Sequence, residues 1–317
     1  MRGFIIGLVF SSALLAASDV VAQPAASRVE NVTVTGTRSR EAIEGFVQSL
    51  ATPTRAIEKV ARWQQGICPR VVGLRPAFLT FITKRLKDVA AQVGVPVNNS
   101  ISCETNIVIV FTTAPQALID NVKQKQPGLL GYSDNHEQLD KLATVTRTIQ
   151  AWYTTATEDA YGRVTVDTGK TAGQGLVLSV PCNQLYQGLA LGGICTFQPS
   201  GAHGASVTGS RLGDGLRSGL YNVIIAADPT KLLDYEIGTL SDYIAMLVLA
   251  QVNVPDTCQP LASITNLLAA NCTSKPSALT DNDLGYLRAL YKMSPDRNIQ
   301  VQRNEMAYQM QQSLLGH

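Results

Sequence analysis

Pro76-Ala-Phe-Leu-Thr-Phe-Ile-Thr-Lys-Arg-Leu-Lys-Asp-Val-Ala-Ala-Gln-Val93, followed after a polar stretch by Ile107-Val-Ile-Val-Phe111, decides the class of the fold. In the first segment Phe78, Phe81, Ile82, Leu86, Val89, Ala90 and Val93 recur at helical spacing, with Lys84, Lys87 and Asp88 opposite, which is the pattern of an amphipathic helix. The second is a continuous apolar run of strand length, as expected of a central strand covered on both faces. Cys68 to Leu74 reads as a strand before the helix, so strand, helix and strand form a crossover unit of an α/β fold.

Working outward, Glu41 to Leu50 and Thr54 to Gln64 read as short helices, and Pro115 to Lys125 as a helix with proline in its first turn. Thr144 to Tyr153, Arg163 to Asp167, Leu176 to Val180 and Leu220 to Ala227 read as strands separated by Gly- and Asp-containing turns. The last third turns helical: Ile237 to Gln251, a short helix near Leu261 to Leu268, Asp281 to Tyr291, and Ile299 to Leu315. Thr280 and Asp283 have the spacing of a capping box. The expected fold is thus α/β (α+β): a mixed α/β region over residues 41–230 and a helical part over 231–317.

With 26 basic and 24 acidic residues in 317, the chain carries a formal charge of only +2, and no global field draws it to nucleic acid. Met1-Arg2, an apolar run from Gly3 to Ala17, and Val20-Val-Ala22 before Gln23-Pro24 have the layout of a secretory signal peptide over residues 1–22. The run is shorter than the roughly 20 apolar residues that a membrane span needs, and no transmembrane helix is expected once it is cleaved. Residues 23–40 read as a flexible leader.

All six cysteines, Cys68, Cys103, Cys182, Cys195, Cys258 and Cys272, lie beyond that segment. An even number in an exported chain points to disulfides, and CxxC-type zinc spacing is absent. Many pairings are open; the order along the chain suggests the local pairs Cys68–Cys103, Cys182–Cys195 and Cys258–Cys272. The histidines, His136, His203 and His317, have no i, i+4 pairing of the kind that holds catalytic zinc, and no cofactor is expected. Ser206 beside His203 lacks the second glycine of a nucleophile elbow. Gly213-Asp-Gly215-Leu-Arg-Ser-Gly219 departs from the dinucleotide fingerprint in spacing and precedes a strand; it reads as a loop over a site. Glu158-Asp159 reads as a turn, and Trp63, Trp152 and Tyr153 as buried aromatics.

Glu236-Ile-Gly-Thr-Leu-Ser-Asp-Tyr-Ile-Ala-Met-Leu-Val-Leu-Ala-Gln251, then Ser263-Ile-Thr-Asn-Leu-Leu268 and Leu279-Thr-Asp-Asn-Asp-Leu-Gly-Tyr-Leu-Arg-Ala-Leu-Tyr291, resemble the C-terminal half of matrixin-like zincin metallopeptidases. In that family an HExxHxxGxxH helix is followed by a Ser-Ile-Met-type turn and an LTxxDxxxLxxLY helix. Laid on that pattern, Ser241, Ala245 and Gln251 take the three His positions, Asp242 the catalytic Glu, Val248 the Gly, and Thr265 stands near the turn's Met. Every metal ligand is missing. The resemblance therefore implies a zincin-like scaffold with a vestigial site at Ser241, Asp242, Ala245 and Gln251, no metal and no peptidase chemistry.

The resulting expectation is a non-catalytic, periplasmic or secreted envelope protein that holds peptide-like ligands or a protein partner. On that view, replacing Asp242 leaves folding nearly unchanged. The alternative is a secreted hydrolase working through Asp242 or the 199–219 loop.

Overall fold

The structure is a computed structural model that describes residues 28–315 except 101, 170–177, 187–193, 198–206, 210–212, 253 and 255–256. The signal segment 1–22, His203, Ser206 and His317 lie outside the described residues, as do the side chains of Cys182 and Cys195.

In chain order the elements are α1 (Arg28–Leu50), β1 (Pro69–Val72), α2 (Pro76–Val93), β2 (Ile107–Phe111), α3 (Pro115–Lys125), α4 (His136–Leu142), β3 (Ile149–Glu158) and β4 (Val164–Asp167). They continue with β5 (Leu178–Pro181), α5 (Cys182–Leu185), β6 (Ile194–Phe197), β7 (Arg217–Ala227), α6 (Ile237–Leu249), α7 (Asp281–Lys292) and α8 (Ile299–Leu315). A mixed five-stranded sheet runs β1-β2-β7-β3-β4, and β5 and β6 form a separate antiparallel pair. The strands β1, β2 and β7 are parallel, while β3 runs antiparallel to β7 and β4. The fold is α+β, with helices dominating its C-terminal part.

The central strands alternate with period two. Ile107, Ile109, Phe111, Val223, Ile225 and Ala227 face a large core shared with α1, α2, α6, α7 and α8. Val108, Val110, Ile224 and Ala226 face a smaller core with Leu118, Ile119, Val122 and Trp152. Both faces of the sheet are therefore dry, which is why these strands read as unbroken apolar runs.

The helix α2 has the bounds that its periodicity predicts. Pro76 opens it, and Gly94, at φ 84°, closes it by donating its N–H to the carbonyls of Ala90 and Ala91. Ile82, Leu86, Val89, Ala90 and Val93 are buried, but Phe81 is 44% exposed and Phe78 lies under the Arg75 guanidinium. Cys68–Cys103 brackets α2 and Cys258–Cys272 brackets the 3-10 turn Ile264–Asn266, with Cα separations of 6.0 and 5.4 Å. Each closed loop stabilises the fold by about 2–4 kcal/mol. Among the described residues no helix is long and apolar enough to cross a membrane.

Three expectations change. Thr54 to Gln64 is not a helix: Glu58 takes a left-handed φ of 54°, Pro53 pairs with Val60, and Arg62 pairs with Gly219. Its helix-like spacing is overridden because Lys59 and Arg62 are drawn inward to carbonyls of the 216 and 290–296 segments. The strand expected at Thr144 begins at Ile149, because Gln150 Oε1 accepts the N–H groups of Thr146 and Arg147 and folds that stretch into a turn. Finally, α1 starts at Arg28, inside the expected leader; helix propagation from the buried Ile43–Leu50 turns adds one hydrogen bond per residue fixed.

Tyr286 on α7 is fully buried, edge-on to Phe46, and its hydroxyl has no hydrogen-bond partner among the described residues. Tyr286→Phe removes a desolvated hydroxyl without opening a large cavity. It is expected to leave the denaturant midpoint unchanged or to raise stability by up to about 1 kcal/mol; a loss of that size instead would reveal a partner for the hydroxyl.

Candidate functional site

Of the four positions that the zincin resemblance singles out, Ser241, Asp242 and Ala245 lie on α6, which is buried on every side from Thr239 to Leu249, and Gln251 lies two residues past its end. Such a helix is core by composition. Ser241 Oγ donates to the carbonyl of Ile237 at 2.6 Å, Ala245 is fully buried, and the amide oxygen of Gln251 is buried without a partner among the described residues. Ala245 has no donor atom and Ser241 is turned onto its own helix, so these residues do not fit a zinc ion. His136 sits exposed at the first turn of α4.

Asp242 is held rather than free. Its carboxylate accepts Arg85 Nε at 2.6 Å and Nη2 at 3.0 Å, and the N–H of Leu279 at 3.0 Å. The hydrogen bond to Asp242 raises the Arg85 pKa above its already high value. One buried carboxylate thus ties α2, α6 and the approach to α7 together, which gives Asp242 a structural role that its replacement would test.

The end of α6 is closed by aromatic donors. Tyr153 Oη donates to Leu247 O at 2.9 Å, Trp63 Nε1 to Val248 O at 2.8 Å, and Tyr291 Oη to Leu249 O at 2.7 Å. A helix end buried in apolar surroundings needs such partners for its last carbonyls. Burial raises the pKa of Tyr153 and Tyr291 far above the ordinary phenol range, so both remain donors. The aromatics Trp63 and Tyr153 therefore seal the helix instead of lining a groove; Trp152 donates to Leu142 O.

The turn after α6 and the start of α7 are knotted at Asp283. Its carboxylate accepts Ser263 Oγ at 2.5 Å, Ile264 N–H at 2.9 Å, and both the N–H and hydroxyl of Thr280, completing the capping box. Burial raises its pKa and these hydrogen bonds oppose the rise.

The open site lies elsewhere, at the end of the sheet. A cleft of about 520 Å³ is bounded by the end of β3 and its turn, the segment leading into β7, and the Ser294–Arg297 turn between α7 and α8. Glu158 and Arg217 are register partners at the end of the β3–β7 ladder and form an ion pair at 3.5 Å. Asp159 is taken up by the turn itself: it accepts the N–H groups of Tyr161 and Arg163 and the Arg163 guanidinium, so the turn expected at Glu158-Asp159 opens at Asp159, while Glu158 is the last residue of β3.

The cleft is held rigid from below. Lys59, buried, pairs with Asp214 and donates to the carbonyls of Leu216 and Asp296, each at 2.8 Å. Gln302 donates to Pro295 O, and Glu305 accepts the N–H of Ser294. Gly213 passes so close to the opposite wall that a Cβ there would lie 2.7 Å from Asp296 Oδ2. The Gly213–Gly215 stretch is thus a wall of this cleft.

Asp296, Arg297 and Lys59 carry no sequence signal. Ser294-Pro-Asp-Arg297 is an ordinary helix–helix turn until the fold sets it opposite Gly213. No protein-family model, curated protein or solved structure matches the chain.

Proposed function

We propose that the chain is an exported, non-catalytic binding protein of the cell envelope, periplasmic or secreted, built on a zincin-like scaffold and holding peptide-like ligands in the cleft beside Arg217 and Arg297. The observation that carries this reading is the contrast between two places. At α6 the vestigial positions are packed or tied into the fold, whereas the cleft presents polar and charged side chains to an opening of ligand size. Two disulfides support the oxidising compartment, since such bonds persist outside the cytoplasm. The Ser263–Asp283–Thr280 knot gives a structural reason for the Ser-Ile and Leu-Thr-x-x-Asp motifs that survive without the metal ligands.

The test is a panel of internally quenched peptides incubated with the full chain, with and without a chelator, beside a binding measurement on the same peptides. Binding without turnover is expected. Chelator-sensitive cleavage would sink the non-catalytic reading. The hydrolase alternative has one observation in its favour, two carboxylates, Glu158 and Asp296, on a single cleft; turnover abolished by Asp296→Asn would establish it.

A further inference from the structure

Arg297 and the carboxylate of Asp296 are neighbours in sequence, both half-buried on the cleft wall, and neither has a hydrogen-bond or ion-pair partner among the described residues. Only the main-chain oxygen of Asp296 is used, by Lys59. Arg217 is about half exposed and is engaged by Glu158 at 3.5 Å, the long end of an ion pair. The cleft therefore offers unspent charge of both signs. A site for a simple anion would gather cations and exclude carboxylates, and a cation site would do the reverse.

Opposite charges that close on each other would cancel; here the staple from Lys59 and the anchors from Gln302 and Glu305 hold the 294–297 turn in place. Both groups are thereby presented to a ligand without a large ordering cost at the moment of binding. Gly213 and Gly215 in this wall are close-packed, a Cβ at the first meeting Asp296 Oδ2 and at the second Thr208 and Ala160, so the wall there is main chain.

Resting on the reading of a peptide-binding protein, we infer that this cleft recognises both free ends of a di- or tripeptide. The ligand carboxylate meets Arg297 and Arg217, the guanidinium being suited to bidentate pairing. The ligand ammonium meets Asp296 and Glu158. The volume of about 520 Å³ admits a ligand of that length.

The experiment is calorimetric titration of the full chain with trialanine and with its N-acetyl, C-amide and doubly capped forms. Trialanine is expected to bind, and each single cap to weaken binding about tenfold or more. Arg297→Ala should narrow the difference between the acid and the amide without moving that between free and acetylated amines, and Asp296→Asn should do the reverse. Thermal unfolding of both variants, together with Arg297→Lys, which keeps the charge and should lose only part of the affinity, checks that the fold is intact. Equal binding of the doubly capped peptide would overturn recognition of the ends while leaving peptide binding standing. Absence of binding by all four forms would overturn both.

Discussion

Asp242→Ala is expected to lower the stability of the fold by about 2–4 kcal/mol, read as a shift of the denaturant midpoint with an unchanged slope. The removed carboxylate is buried, and its loss leaves the Leu279 N–H without its acceptor. The Arg85 side chain is 37% exposed and regains water, which keeps the effect below that of a fully buried pair. A double-mutant cycle with Arg85→Ala should give a coupling of about 1–3 kcal/mol. A coupling near zero would mean that the two helices do not depend on this pair. Asp242→Asn, which keeps one acceptor and the volume, should lose less than alanine does.

Asp283→Ala should cost more, about 3–5 kcal/mol. It takes the acceptor from the N–H groups of Ile264 and Thr280, leaves the Ser263 and Thr280 hydroxyls with only Thr265 and Ala262 O as acceptors, and disrupts the cap of α7. Its effect should extend along the chain, because the 3-10 turn Ile264–Asn266 loses the bonds that Ser263 and Ile264 make to the start of α7, leaving those of Thr280 and Asn282 to Ala262 O. Hydrogen exchange gives the signature: protection should fall first in residues 263–267 and in the opening turn of α7. Uniform loss of protection across the sheet would argue that Asp283 acts on global stability alone. Thr280→Ala, which leaves the carboxylate with its Ser263 and Ile264 partners, should cost only about 1 kcal/mol.

Elements whose cause is local were legible in the sequence. The bounds of α2 follow from Pro76, Gly94 and a helical apolar stripe, and the capping box at Thr280 follows from spacing alone. The buried strand β2 follows from five successive apolar residues, since only a doubly covered strand tolerates them. Residues 54–64 were misread because Lys59 and Arg62 satisfy carbonyls far away in sequence, and periodicity carries no trace of such bonds. The bonds of Asp242 were hidden for the same reason. The resemblance alone gives it no partner, whereas its three hydrogen bonds come from α2 and the Leu279 segment. The cleft was invisible because Glu158, Arg217, Asp296 and Arg297 belong to three separate stretches, and only the fold assembles them.

The most direct measurement is an amide chemical-shift titration of the isotopically labelled chain with trialanine. The account predicts perturbations gathered at Gly162, Gly213, Gly215, Asp296 and Arg297, with α6 unmoved. Perturbations centred on Ser241, Asp242 and Ala245, with the cleft silent, would contradict it and return the binding site to the helix that now reads as core.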